Sequence, residues 1–384
     1  MRLALALEYP LMQSGGTEVL VRELLRGLAA RHEIVLVSGD RDRNVLPAEM
    51  SALIVTHLSW QPGGAAAAKS LAHALRALGV QLAHFHFGGT YEWQSRRFWR
   101  CPIHYLARLG VLCLATNHLA VEWLNCGCDP GEPPWRKFIF QIFAWLSRAV
   151  IYQRLAIEVA VSQHDRARLT GQFPIFGKRI IQRYHSLLSA DAAPPAPERK
   201  KIILNVGHLA FRKGQHLLAA AFARLAPRHP QWELHLAGSV GEAACAQEIE
   251  ATARTAGVRA RVHLLGRRND AGALMSAAAI YVQPSLEEGL GLALQEALHA
   301  GCACVGARTG GIPELIRDED NGLLFARGDV AALAAALERL IADEPLRARL
   351  SARAPASLRD RRMTASEMVA EYDTLYRSLL DSKK

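Results

Sequence analysis

Ile280-Tyr-Val-Gln-Pro284-Ser-Leu-Glu-Glu-Gly289-Leu-Gly291-Leu-Ala-Leu-Gln-Glu296-Ala-Leu-His-Ala-Gly301 reads as a buried strand, a glycine-bearing turn and a helix. Ile280 to Val282 is a short apolar run without alternation, the pattern of a strand covered on both faces. Gly289 and Gly291 permit close backbone approach. The helix opening near Leu292 aims its unpaired N–H groups at whatever lies before it, which suits a phosphate. Glu288 falls in the turn and Glu296 about one helical turn inside, so both carboxylates can border one pocket and accept bonds from hydroxyls.

The same unit repeats outward in both directions. Downstream of residue 200, apolar runs at Ile202 to Val206, Leu234 to Ala237, Val262 to Leu265, Cys302 to Val305 and Leu323 to Phe325 alternate with helical periodicity. Upstream, the runs are Leu3 to Leu7, Ile34 to Val37, Leu53 to Val55, Leu82 to Phe87, Val111 to Ala115 and Glu158 to Val161. Strands alternating with helices predict parallel sheets covered on both faces, the α/β class. Asp191-Ala-Ala-Pro-Pro-Ala-Pro-Glu interrupts the series with three prolines and no periodicity. The expected organisation is a domain over 1–190, a linker over 191–200, a second doubly wound domain over 201–360 facing the first, and a closing amphipathic helix over 361–384. Met368, Val369, Tyr372, Leu375, Tyr376 and Leu379 form the apolar face of that helix.

A chain of 384 residues that is 50% hydrophobic and 21% charged is no disordered, collagen-like or disulfide-stapled protein. Seven cysteines, an odd number, indicate reduced thiols and a cytoplasmic setting. Met1-Arg-Leu-Ala-Leu-Ala-Leu resembles the opening of a signal peptide, but Glu8 arrives too early, and the segment reads as a buried first strand. Residues 138–161 carry too many polar groups to span a bilayer. Within them Phe138, Ile139, Ile142, Phe143, Leu146 and Val150 share one helical face beside Arg136, Lys137 and Arg148. A core helix is the expected reading, and peripheral docking on an anionic inner-membrane face the alternative. The formal charge of +10 suits nucleic acid, anionic lipid or a phosphorylated ligand. With 7% aromatic residues and no recognisable module, nucleic acid is not expected.

Ser14-Gly15-Gly16-Thr17 follows the first strand, and two glycines at a helix start can close over a phosphate or an acceptor. His84-Phe-His86 and Thr116-Asn-His118 end two further strands, where sites in parallel sheets lie. Cys126-Gly-Cys128 lacks a second close pair, and no metal site is expected.

The stretch from Glu288 to Glu296, with its embedded Gly289-Leu290-Gly291-Leu292, resembles the Glu, seven residues, Glu pattern of family 4 of the retaining glycosyltransferases. Val206-Gly-His-Leu-Ala-Phe-Arg-Lys-Gly214 is similar to the family's strand-loop-helix in which an Arg and a Lys hold the donor's diphosphate. Lys213 matches that Lys. His208 stands where the Arg is usual, leaving open whether Arg212 supplies the missing charge. Gly310-Gly-Ile-Pro-Glu314 and Asp320-Asn-Gly-Leu-Leu324 resemble segments at the nucleotide end of the family's cleft.

The resemblance implies the GT-B fold, two Rossmann-like domains facing across a cleft. It also implies transfer of a sugar from a nucleotide-sugar donor to a sugar, glycan, lipid-linked or small-molecule acceptor, with no cofactor and no metal. Carried over by position, Glu288 would contact the sugar, Glu296 the ribose, and Gly15, Gly16, His208, Arg212 and Lys213 the donor. His118 would stand beside the reacting sugar, with His86 nearby and Ser162 lining the cleft. A sugar-nucleotide epimerase or hydrolase on this fold, or a noncatalytic binding protein, is the alternative reading.

Overall fold

A computed structural model describes residues 1–12, 15–39, 46–60, 63–87, 97–119, 133–188 and 199–382. The chain divides into two compact units, Met1–Leu187 with Ala365–Lys384, and Leu188–Thr364. The first is a seven-stranded sheet of β1 (Arg2–Leu7), β2 (Glu33–Ser38), β3 (Thr56–Ser59), β4 (Leu82–Phe87), β5 (Leu112–Asn117), β6 (Ile157–Ala160) and β7 (Ile180–Gln182). All pairings are parallel, in the order β3-β2-β1-β4-β5-β6-β7.

The second unit holds β8 (Lys200–Val206), β9 (Glu233–Ala237), β10 (Val262–Gly266), β11 (Ala278–Gln283), β12 (Ala303–Ala307) and β13 (Gly322–Phe325). They are again parallel, in the order β10-β9-β8-β11-β12-β13. In each unit the winding starts at a central strand, runs to one edge and then restarts on the other side. The crevice outside the strand ends at that reversal is where ligands bind in open α/β sheets. It falls between β1 and β4 in the first unit and between β8 and β11 in the second.

Burial follows the strand pleat. Leu3, Leu5 and Leu7 of β1 point into one layer, against Leu20, Leu24 and Leu28 of the helix Gly16–Ala29. Ala4 and Ala6 point into the other, with Phe85, Leu106 and Tyr152. The helix Ala365–Asp381 follows the second unit in sequence but packs in the first, burying Met368, Tyr372 and Tyr376 on its predicted face. Asp373 anchors it to His32 at 2.7 Å and Arg31 at 2.9 Å. Burial pushes the Asp373 carboxyl up, yet hydrogen bonds from Arg377, His32 and Arg31 outweigh this and hold it at about 2.

Four sequence expectations are corrected. The third strand is Thr56–Ser59 and not Leu53 to Val55, because an edge strand needs no apolar run; Val55 is exposed and Leu53 packs below the sheet. Strand β7, only three residues long, is an edge strand that the apolar runs did not reveal. Ser162 caps the helix Gln163–Gln172, accepting from Asp165 N at 3.0 Å, and is fully buried in that role. Finally, the helix Pro134–Arg154 is oriented opposite to a core helix. Phe138, Ile139, Ile142, Phe143 and Leu146 are exposed, while Ser147, Arg148 and Tyr152 face inward. Arg148 pairs there with Glu158 of β6 at 2.7 Å, both side chains being at most 1% exposed. Of the expected linker over 191–200, residues 191–198 lie outside the described residues, as does the pair Cys126 and Cys128, and Lys200 already belongs to β8.

Candidate active site

In the second unit, the two strands that flank the reversal deliver the predicted residues to each other. Strand β8 runs into Gly207, His208 and a short turn, Phe211–Lys213, before the helix Gln215–Leu225. Strand β11 runs into Pro284 to Gly291 before the helix Leu292–His299. The loops interlock through backbone: Leu286 N donates to Arg212 O at 2.8 Å, and Arg212 Nη1 to Glu287 O at 3.1 Å. Gly214, at φ 72°, leaves no room for a side chain, since a Cβ there would collide with the Pro284 carbonyl.

Lys213 Nζ lies 2.9 Å from Glu288 Oε2. The same carboxylate oxygen accepts from Ser285 Oγ and Gln283 Nε2, each at 3.0 Å. Tyr281 OH donates to Gln283 Oε1 at 2.8 Å and thereby fixes the amide that reaches Glu288. Burial alone would raise the Glu288 pKa. Lys213 and Arg212 together with hydrogen bonds from Lys213 and Ser285 win, and the carboxyl is held below its ordinary value. Glu296, one helical turn on, is raised by burial. Two glutamates of one motif therefore differ in how readily they ionise.

The glycine pair downstream closes the third side. Gly311 N donates to Gly289 O at 2.9 Å, and Thr309 Oγ1 to Leu286 O at 3.2 Å. A Cβ on Gly310, at φ 53°, would collide with the Glu288 carbonyl, so only glycine fits. Leu290 is buried and Leu292 half-buried at the helix start, beside Gly291, the capping residue. His208 is exposed on the approach to this group. Desolvation, then the charges of Lys213 and Arg212, lower its pKa. Sequence reasoning missed Tyr281, Gln283 and Gln215. The polar Gln283 at the end of an otherwise apolar strand was the available signal. Gln215 is fully buried and donates to His208 O at 3.0 Å, steadying the loop.

In the first unit, Gly15 and Gly16 open the helix Gly16–Ala29 beyond β1, with the buried Glu18 beneath them in its first turn. Burial raises the Glu18 carboxyl above its usual range. His118 follows β5, with its Nε2 3.2 Å from His86 Nδ1 and its ring 5.2 Å from that of His185. His84 contacts Tyr376 OH at 2.6 Å and Thr116 Oγ1 at 2.7 Å, and His185 contacts Tyr372 OH at 2.7 Å. The sequence pointed to two of these four histidines as site residues; the other two sit in hydrogen bonds to the final helix.

Burial, reinforced by neighbouring histidines, drives His84 down to about 3 and His86 and His185 well below the ordinary value; burial alone takes His118 to about 3. Each folded pKa lies below the unfolded one near 6.5, so the stabilisation is complete above that value and is lost as pH falls. The unfolding free energy of the first unit in urea is expected to decline from about pH 6.5 downward, by up to about 1.4 kcal/mol per pH unit for each extra proton the unfolded chain binds. A flat unfolding free energy between neutral and acidic pH contradicts this network.

Among the described residues, one group of three has metal-ligating geometry, Glu233, His235 and His263 on β9 and β10, and it shares no residue with the loops above. Two sheets, each with its chemistry gathered where the winding reverses, define the architecture of the GT-B class. A family model described as glycosyltransferase family 4 matches residues 14–185, and one described as glycosyl transferases group 1 matches 189–357. The chain belongs to glycosyltransferase family 4. N-acetyl-alpha-D-glucosaminyl L-malate synthase of Bacillus anthracis is 29% identical over 189 residues, 49% of this chain and 48% of that protein. D-inositol 3-phosphate glycosyltransferase of Corynebacterium kroppenstedtii is 29% identical over 287 residues, 69% of this chain and 60% of that protein. The chain thus spans about half of the first of these relatives and rather more of the second. Anabaena HepE, solved in complex with UDP, superposes with a TM-score of 0.77 at 16% identity, covering 98% of this chain and 100% of that one, a likeness of fold.

Proposed function

We propose that the protein transfers a sugar, with retention of anomeric configuration, from a nucleotide-sugar to an acceptor handled by the first unit. The observation that carries this reading is the Lys213 to Glu288 contact of 2.9 Å, a cation and a carboxylate brought together from the two strand ends at a reversal point. Rupture of the sugar to phosphate bond leaves negative charge on the diphosphate and positive charge on the sugar. Lys213, Arg212 and the N–H groups opening the helix Leu292–His299 are placed to stabilise the first. Glu288 occupies the anionic place beside Lys213 until a diphosphate arrives, then turns to the sugar's hydroxyls. Glu296, more readily protonated, faces the ribose. His118 acts beside the reacting sugar, and Gly15 and Gly16 close over the donor.

The acceptor class is a sugar, glycan, lipid-linked sugar or small molecule, and the setting is cytoplasmic. UDP is the first nucleotide to screen, since HepE was solved with it. Lys213→Ala is expected to lower kcat/KM at least tenfold, because a charge-assisted contact contributes roughly 1.5 to 3 kcal/mol. Unchanged kinetics remove Lys213 from the site. His208→Arg, which restores the family's usual cation, tightens donor binding if the two side chains occupy one place. Cationic side chains and a helix end do the work of an ion in this mechanism, so activity is expected to survive EDTA. Loss of activity that a divalent ion restores contradicts it. Product analysis with and without acceptor separates transfer from epimerisation or hydrolysis.

A further inference from the structure

The helix Pro134–Arg154 presents seven large apolar side chains to solvent, Trp135, Phe138, Ile142 and Phe143 among them, each between 40% and 62% exposed. At 3.6 residues per turn they occupy one continuous face about 160° wide. We infer that this face is an interfacial anchor that seats the first unit on an anionic lipid bilayer. The inference is independent of the transfer chemistry.

The orientation of the helix is fixed from within. Arg148 and Tyr152 on the opposite face are buried, and the pairing of Arg148 with Glu158 prevents the helix from rolling its apolar side inward. Two neighbouring segments extend the patch. Trp99, 43% exposed, lies on the turn Phe98–Arg100 that packs against the helix. Ile175, 83% exposed, lies on the turn Pro174–Arg179, tied to the helix by the bond from Trp145 Nε1 to Gln172 O and by stacking of Trp145 on Phe173.

Charge selects the occupant. Residues 133–182 contain eight Lys and Arg but only two acidic residues, Glu158 and Asp165, and both are buried. Arg136 on the helix, Arg97 and Arg100 beside it and Lys178 beyond it are all exposed. Apolar and aromatic side chains rimmed by cations are the composition of a helix lying in the headgroup plane of anionic lipid. A second copy of the chain would bring the same basic rim against itself, at a cost in like-charge repulsion. Spanning is excluded for this segment: no helix among the described residues is long and apolar enough to cross a membrane.

The test is flotation of the full chain with vesicles of phosphatidylcholine alone and of phosphatidylcholine mixed with phosphatidylglycerol. The protein is expected to float with the anionic vesicles and to be partly released by salt. Phe138→Ser with Phe143→Ser should weaken the partition at least about tenfold, and Arg100→Glu with Arg136→Glu should weaken it on anionic lipid. Because these side chains are exposed, thermal melting of the variants should match the parent. Failure to float with either lipid, or equal partition of the serine variant, overturns the proposal. Equal flotation on both lipids overturns its anionic part. Sedimentation showing a dimer that the serine variant abolishes, with no lipid binding, assigns the face to a second copy instead.

Discussion

Glu288→Gln is expected to slow turnover by about 10²- to 10³-fold while leaving affinity for the free nucleoside diphosphate within about threefold. The substitution keeps the size of the side chain and its bonds to Ser285 and Gln283 but removes the negative charge. In the proposed mechanism that charge is felt by the sugar, where positive charge develops only in the transition state, so the loss appears in kcat. Lys213, no longer paired with a carboxylate at 2.9 Å, remains available to the diphosphate. Glu296→Gln should behave differently, weakening nucleotide and donor alike, because a contact to the ribose is made in the ground state as well. Calorimetry with the nucleoside diphosphate and initial rates with the donor separate the two. Variants that behave alike, or that both retain full activity, dismiss the loop after β11 as the donor site.

The second large effect is on stability. Glu158→Ala strands the Arg148 guanidinium, at most 1% exposed, without its carboxylate partner and removes the acceptor of Asn117 Nδ2 at 3.3 Å. Removing one partner of a buried pair costs about 3 to 5 kcal/mol, since the remaining charge is left desolvated. Replacing both, as in Arg148→Met with Glu158→Leu, should recover most of that loss. Denaturant titration of both variants measures this, and a single-variant cost near zero would mean the site is hydrated. Glu158→Ala also frees the helix Pro134–Arg154 to roll, so vesicle partition should fall along with stability.

The sheets were legible in the sequence because a strand buried on both faces must be a continuous apolar run, and most of the central runs coincide with strands to within two residues. The edges were not. Strand β3, Thr56-His-Leu-Ser, is half-buried throughout and so carries no such run. The Pro134–Arg154 helix shows a different limit. Periodicity reveals that a helix has an apolar face but not which way it turns, and here the deciding signal was the pair Arg148 and Glu158, ten residues apart and silent until the fold joins them. In the second unit the candidate donor loops were legible because each is one contiguous strand, turn and helix. What escaped was support from the preceding strand, the relay from Tyr281 through Gln283 to Glu288, which exists only once the loop folds back over its own strand.

The final helix imposes an order on biosynthesis. Tyr376, which contacts His84 at 2.6 Å, is made 292 residues after it. At about 5 to 20 residues per second, the ribosome keeps the first sheet waiting roughly 15 to 60 s for the side chains that cover one of its faces. The second unit, contiguous in sequence, can close during that interval. The half of the protein that emerges first is therefore the half that finishes last, and until it does His84, Thr116 and His185 lack their hydrogen-bond partners on the final helix.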